Sequence, residues 1–316
     1  MADAASNELA AALAEVLAAD AVTDVVRLTG GASRDTFRFV ADGRALILQR
    51  QRSGDVRDMG IEALVVRSVG AAGAPVAQLV ASSSEPSALG SAYMILTAVE
   101  GETIARKILR DDKFAQARGV LPAQLGVALA QVHAVATDAL TALPMLDQVT
   151  QYREVLDILG QPHPTFELVF KWLEANRPAA RPPVLVHGDF RLGNVIVGAE
   201  GLRAVLDWEL AHLGDPMEDL GWLCVKAWRF GSPLPVAGVG EYEQLFAAYE
   251  TAGGGSVDAD VVRWWEVLGT LKWGIMCIGQ ANTHLVGAAR SHELAAIGRR
   301  VCENEYDLFL ALEGRW

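Results

Sequence analysis

Residues 187–222 read HGDFRLGNVIVGAEGLRAVLDWELAHLGDPMEDLGW and hold the densest set of polar residues in the chain. Three short apolar runs frame them: VLV at 184–186, VIV at 195–197 and AVL at 204–206, each read as a strand. Asp189 and Asn194 then fall in a loop between two strands. Asp207 ends the third strand, thirteen residues after Asn194. A strand–loop–strand–turn–strand path can fold back so that Asn194 and Asp207 converge. One carboxylate and one amide oxygen make a partial shell for Mg²⁺, which keeps waters and substrate phosphates as its other ligands. Asp189 is left to orient a hydroxyl and accept its proton. These are the parts of phosphoryl transfer, where positioning and charge neutralisation do most of the catalysis.

HGDxxxxN followed by LDWE and GDPxxDL resembles the aminoglycoside phosphotransferase family, which shares the protein-kinase-like fold. Kinases write the first motif H-R-D-x-x-x-x-N and the second acid as D-F-G. On this chain His187, Asp189 and Asn194 fall on the first and Asp207 on the second. The resemblance implies Asp189 as catalytic base, Asn194 and Asp207 as Mg²⁺ ligands, and Arg191 as a catalytic contact to the transferring phosphate. The wording of the motifs is most similar to the kinase-like domains associated with acyl-CoA dehydrogenases. It implies an α+β fold of two lobes: a small antiparallel-sheet lobe, 1–97, that binds the nucleotide, and a larger mainly helical lobe, 98–316, for catalysis and substrate binding.

The nucleotide side follows from the same resemblance. The hairpin Leu28 to Phe39 would cover the phosphates, with Gly30, Gly31 and Ser33 at its tip, where glycine lets the backbone approach closely. Two adjacent glycines by themselves mark any hairpin turn. Kinases pair a Lys on the third strand with a Glu on the following helix. Glu62 shares a helical face with Val65, Val66 and Val69, so a buried carboxylate there needs a cation. The basic position, however, aligns with Gln49. Arg50 lies on the opposite strand face by alternation, and a bulge would be needed to swing it or Arg52 inward. Adenine is expected against backbone groups between Thr97 and Val99.

The rest of the chain fits this frame. An Ala-rich helix is read over 7–20, strands at 25–28, 36–40 and 45–49, and a helix over 58–69. Further strands are read in AGAPVAQLV and SAYMILTAVEG. Leu125, Leu129, Val132 and Ala136 mark a helix. Leu294, Ile297, Val301, Leu308 and Leu312 trace one stripe on a single last helix. His187 and His133 are read as packed histidines, and Asp215 and Asp219 as braces of a loop or helix start. Glu209 is a weaker candidate for a second metal. Trp264, Trp265 and Trp273 are read as core, and Glu303, Glu305 and Asp307 as a solvated helix face.

Composition narrows the partners. The 316 residues are 51% hydrophobic and carry a net charge of −12. That argues against a nucleic-acid partner. No apolar run reaches the roughly 20 residues needed to span a bilayer. The start, MADAASNELA, has acids where a leader peptide needs bases, and Cys224, Cys277 and Cys302 are scattered, so a cytoplasmic protein is expected. The expected activity is ATP- (or GTP-) and Mg²⁺-dependent transfer of a γ-phosphate to a small-molecule hydroxyl acceptor. A metabolic hydroxyl compound is preferred slightly over an aminoglycoside or macrolide. The alternative is a non-catalytic pseudokinase, a nucleotide sensor or partner-binding module, motivated by Gln49. Oligomeric state is left open.

Overall fold

The computed structural model describes residues 2–28, 34–52, 57–86 and 88–315. Helix α1 (Ala2–Leu17) leads into β1 (Val22–Leu28), β2 (Arg34–Ala41) and β3 (Arg44–Gln51), then α2 (Met59–Ala71), β4 (Leu79–Ser83) and β5 (Tyr93–Thr97). These five strands form one antiparallel sheet in the order β1-β2-β3-β5-β4. The Asp58 side chain caps α2 by accepting from Gly60 N at 2.7 Å.

After residue 97 the chain is mainly helical: α3 (Ala105–Arg110), α4 (Ala115–His133), α5 (Gln148–Leu159) and α6 (Pro164–Ala175). Two small hairpin-like pairs follow. Strand β6 (Val184–Val186) pairs with β9 (His212–Gly214), and β7 (Val195–Gly198) with β8 (Gly201–Val205). The chain ends in α7 (Met217–Cys224), α8 (Tyr242–Thr251), α9 (Ala259–Leu285), α10 (His292–Gly298) and α11 (Val301–Leu312). The last two correct the expectation of one terminal helix. Arg299 N and Arg300 N turn back to Ala296 O and Ile297 O, three residues behind. Gly298 packs where a Cβ would lie 2.6 Å from that of Ala281 on α9, so the chain bends around that helix. Helix α4 likewise stops at His133, before Ala136.

The apolar cores are divided unevenly. On one face of the sheet, Leu13 of α1 packs against Phe39, Leu46, Leu48 and Ile95. Val65, Val66 and Val69 of α2 instead join the largest core, with Leu121, Leu125 and Leu129 of α4, Val195 and Val205 of the β7–β8 pair, and Leu220 of α7. Another core is built from α5, α6, α9 and α11 around Phe166, Phe170, Leu271 and Leu308. Helix α2 thus bridges the two regions: Met59 and Ala63 pack against Ala92 and Met94 at the sheet, and its valines join the largest core. Among the described residues no helix is long and apolar enough to cross a membrane.

Candidate active site

The loop from His187 to Asn194 leaves β6 in a shape that its own sequence enforces. Gly188 has φ +80°, and a Cβ there would lie 2.5 Å from Leu210 O. His187 is fully buried, with its ring 4.5 Å from Trp208 and its Nε2 2.9 Å from Leu206 O. Burial holds its pKa below the ordinary histidine range, against the pull of Asp219 and Asp189. Asp219, fully buried on α7, accepts from His187 N at 2.8 Å and from Gly188 N at 3.0 Å. His133 Nε2 lies 3.2 Å from the same carboxylate, and its Nδ1 2.8 Å from Tyr249 OH. Burial alone would raise the Asp219 pKa, but His133 and these N–H groups hold it below the usual carboxylate range. Asp215 accepts from Met217 N at 2.8 Å at the start of α7. The readings of His133 and His187 as packed histidines and of Asp215 and Asp219 as braces agree with these contacts.

Asp189 emerges from this braced loop with its side chain 17% exposed. Its oxygens accept from Asn194 Nδ2 at 2.6 Å, from Trp222 Nε1 at 2.8 Å and from Arg191 Nε at 3.0 and 3.2 Å. Arg191 also lies over the Trp228 ring, 4.8 Å from its centroid. In this structure the guanidinium is therefore folded back on Asp189. Leu206 N donates to Asn194 O at 2.8 Å where β8 runs back along β7, so Asn194 and Asp207 converge as the spacing predicts. Asn194 spends its N–H₂ on Asp189, and its Oδ1 accepts no hydrogen bond among the described residues.

Asp207 sits at φ +65°, a conformation few non-glycine residues adopt. Its carboxyl is pushed up to about 7 by burial and by the negative charges of Glu209, Asp189 and Glu62, with Arg34 opposing. Among the described residues no group of three His, Cys, Asp or Glu is arranged to hold a metal. Mg²⁺ needs fewer protein ligands than that. An under-neutralised Asp207 beside an open amide oxygen has the donor chemistry for such an ion.

The sheet side departs from expectation. Glu62 is paired, but with Arg34 of β2, and both side chains are buried. Thr36 faces Gln49 across the β2–β3 ladder, so Arg34, two residues earlier, shares the Gln49 face. Arg34 Nε is a buried donor with no partner among the described residues. Gln49 lines a cavity of about 20 Å³ with Glu62, Met94, Leu96 and Asp207. The β2–β3 ladder runs without a bulge, and Arg50 and Arg52 both reach Asp35 on the other face. The inward swing considered for them does not occur. Glu209 pairs with Arg57, and Arg34 lies 4.0 Å away.

Thr97 N donates to Gln78 O at 2.9 Å, whereas Val99 N has no hydrogen-bond partner among the described residues. Gly30, Gly31 and Ser33 lie outside the described residues. The C-terminal acids are paired: Glu303 with Arg300, Glu305 with His163 and Asp307 with Lys226. Trp264 and Trp273 are buried, in agreement with a core role, and Trp265 is half-buried. Sequence reading missed three residues. Arg34 was recoverable from the strand register, and Trp222 closes the quoted stretch. Lys272, buried on α9 and donating to Gly188 O at 3.1 Å, carries no local signal.

A sheet over a helical body, with a braced aspartate loop at their junction, defines a kinase-like phosphotransferase fold. The chain belongs to the phosphotransferase enzyme family, APH, whose model matches residues 24–265. It is 25% identical over 317 aligned residues to the chicken (Gallus gallus) acyl-CoA dehydrogenase family member 11, covering 90% of this chain and 40% of that protein. To the mouse (Mus musculus) acyl-CoA dehydrogenase family member 10 it is 27% identical over 228 residues, 67% of this chain and 21% of that one. The chain thus spans less than half the length of these relatives. A solved chain from Ralstonia eutropha JMP134, described as a candidate aminoglycoside phosphotransferase, superposes with TM-score 0.73 at 20% identity, covering 92% of each chain. A spectinomycin phosphotransferase in complex with ADP and spectinomycin superposes with TM-score 0.64 at 13% identity, covering 96% of this chain and 98% of that one.

Proposed function

We propose that this chain transfers the γ-phosphate of ATP or GTP to a hydroxyl of a small molecule, with residues 1–97 holding the nucleotide and 98–316 the acceptor. One observation carries the reading: Asp189, oriented by three donors, shares a partly buried junction with Asn194 and with an Asp207 whose charged neighbours are mostly negative. Asn194 and Asp207 would hold Mg²⁺, which supplies charge neutralisation on the phosphates. Asp189 accepts the acceptor's proton as the acceptor oxygen bonds to the γ-phosphorus. The bond from that phosphorus to the bridging oxygen of the nucleoside diphosphate breaks. Arg191, released from Asp189, would stabilise charge on the transferring group. Arg34, with a spare buried donor beside Glu62, takes the place of the strand-three cation.

A metabolic hydroxyl compound is the preferred acceptor class. A cationic aminoglycoside calls for unpaired carboxylates, and the acids of α11 are each engaged by a cation or by a histidine. Magnesium-dependent ATP binding, measured by calorimetry, should appear in the wild type and vanish in Asp207→Asn. ADP release against a panel of hydroxyl compounds then finds the acceptor. A well-folded wild type that binds no nucleotide would sink the reading in favour of a pseudokinase.

A further inference from the structure

The three side-chain donors on Asp189 are not held alike. Arg191 is 26% exposed and rests on one face of Trp228. Trp222 is 2% exposed and fixed from several directions. Trp228 packs against it at 5.2 Å between centroids, and Lys272 Nζ lies 4.5 Å from its ring centroid. Gly269 of α9 meets the indole edge so closely that a Cβ there would come within 3.1 Å of Cε3. Lys272 also donates to Gly188 O, one residue before Asp189. One buried lysine thus steadies both the indole and the loop that the indole bonds to.

We infer, on the phosphotransferase reading above, that Trp222 is a positioning residue for the reaction. Its Nε1–H fixes Oδ1 of Asp189 while Asn194 fixes Oδ2. When Arg191 leaves for the incoming phosphate, the carboxylate keeps its orientation and regains acceptor capacity for the acceptor's O–H. An indole suits this task. It donates one hydrogen bond, accepts none and does not titrate, so it cannot compete with Asp189 for the proton. Histidine or tyrosine at this place would.

Trp222→Phe keeps most of the ring and removes the donor. The expected result is a fall in kcat of about 10- to 100-fold. KM for ATP and the melting midpoint should stay at wild-type values. An unchanged kcat would overturn the inference, as would a kcat loss matched by a raised KM for ATP and a lower midpoint. An independent readout uses wild type and Asp189→Ala, labelled with ¹⁵N at the indole nitrogens. One indole proton shifted downfield by the carboxylate should move upfield in Asp189→Ala, and no movement would overturn the contact. Absence of any turnover in the wild type would defeat the phosphotransferase reading and leave the indole test decisive for the contact alone.

Discussion

The Asp189 loop and the five-stranded sheet are built on different logics. In the loop, a buried acid, two histidines and a glycine hold Asp189 through contacts drawn largely from the 187–222 stretch. On the sheet, the cation for Glu62 comes from β2, and its identity depends on strand register. Local constraint leaves the loop little freedom to vary its residues. Register allows the sheet to supply the same charge from another strand. The lesson is that an uncharged Gln49 need not mean a missing function, because the charge is present on the same face.

The sharpest way to break this contrast is at Asp189. Asp189→Ala should lower turnover by ~10²–10⁴-fold while ATP binding persists, if Asp189 serves as the proposed proton acceptor. Loss of binding in a folded variant would show that the loop also carries nucleotide affinity. Asp207 tests the site's charge balance. Its folded pKa is raised from 3.8 to about 7, so the stability tied to that proton is complete below about 3.8 and is lost as pH rises through 7. Asp207→Asn without divalent ions should therefore be more stable than wild type at pH 8, by up to about 4 kcal/mol from the size of the shift. The difference should close near pH 4, as read by thermal melts.

Asp219→Asn should cost about 2–4 kcal/mol by denaturant titration, because two backbone donors and His133 lose a charged partner. The Asp219 pKa is lowered, so the wild-type advantage is present above the ordinary carboxylate range. It is lost as pH falls through the lowered value. The smallest effect is expected at the sheet. Gln49→Lys should change ATP affinity by less than about tenfold, one step of 1.4 kcal/mol, because Arg34 already serves Glu62. A larger gain would show that the sheet is impaired, and the contrast drawn here would fall.

Much of this was legible in the sequence where function rests on short spacing. The strand–loop–strand path brought Asn194 to Asp207, and Glu62 announced a buried charge by lying on an apolar helical face. What stayed hidden depends on distant packing. Lys272 reaches Gly188 across 84 positions. Arg34 becomes Glu62's partner only when β2 and β3 are in register. The break between α10 and α11 follows from contact with α9, against a continuous apolar stripe.

The division of the cores has a mechanical consequence. Helix α2 is held on two sides: Met59 and Ala63 pack against Met94 of β5, while Val65, Val66 and Val69 join the core of the helical body. Arg34–Glu62 adds a buried tie between β2 and this helix. Any shift of β2 relative to α2 must stretch that tie, and separating a buried ion pair costs roughly 3–5 kcal/mol. The pair therefore clasps β2 to the helix that joins the sheet to the helical body.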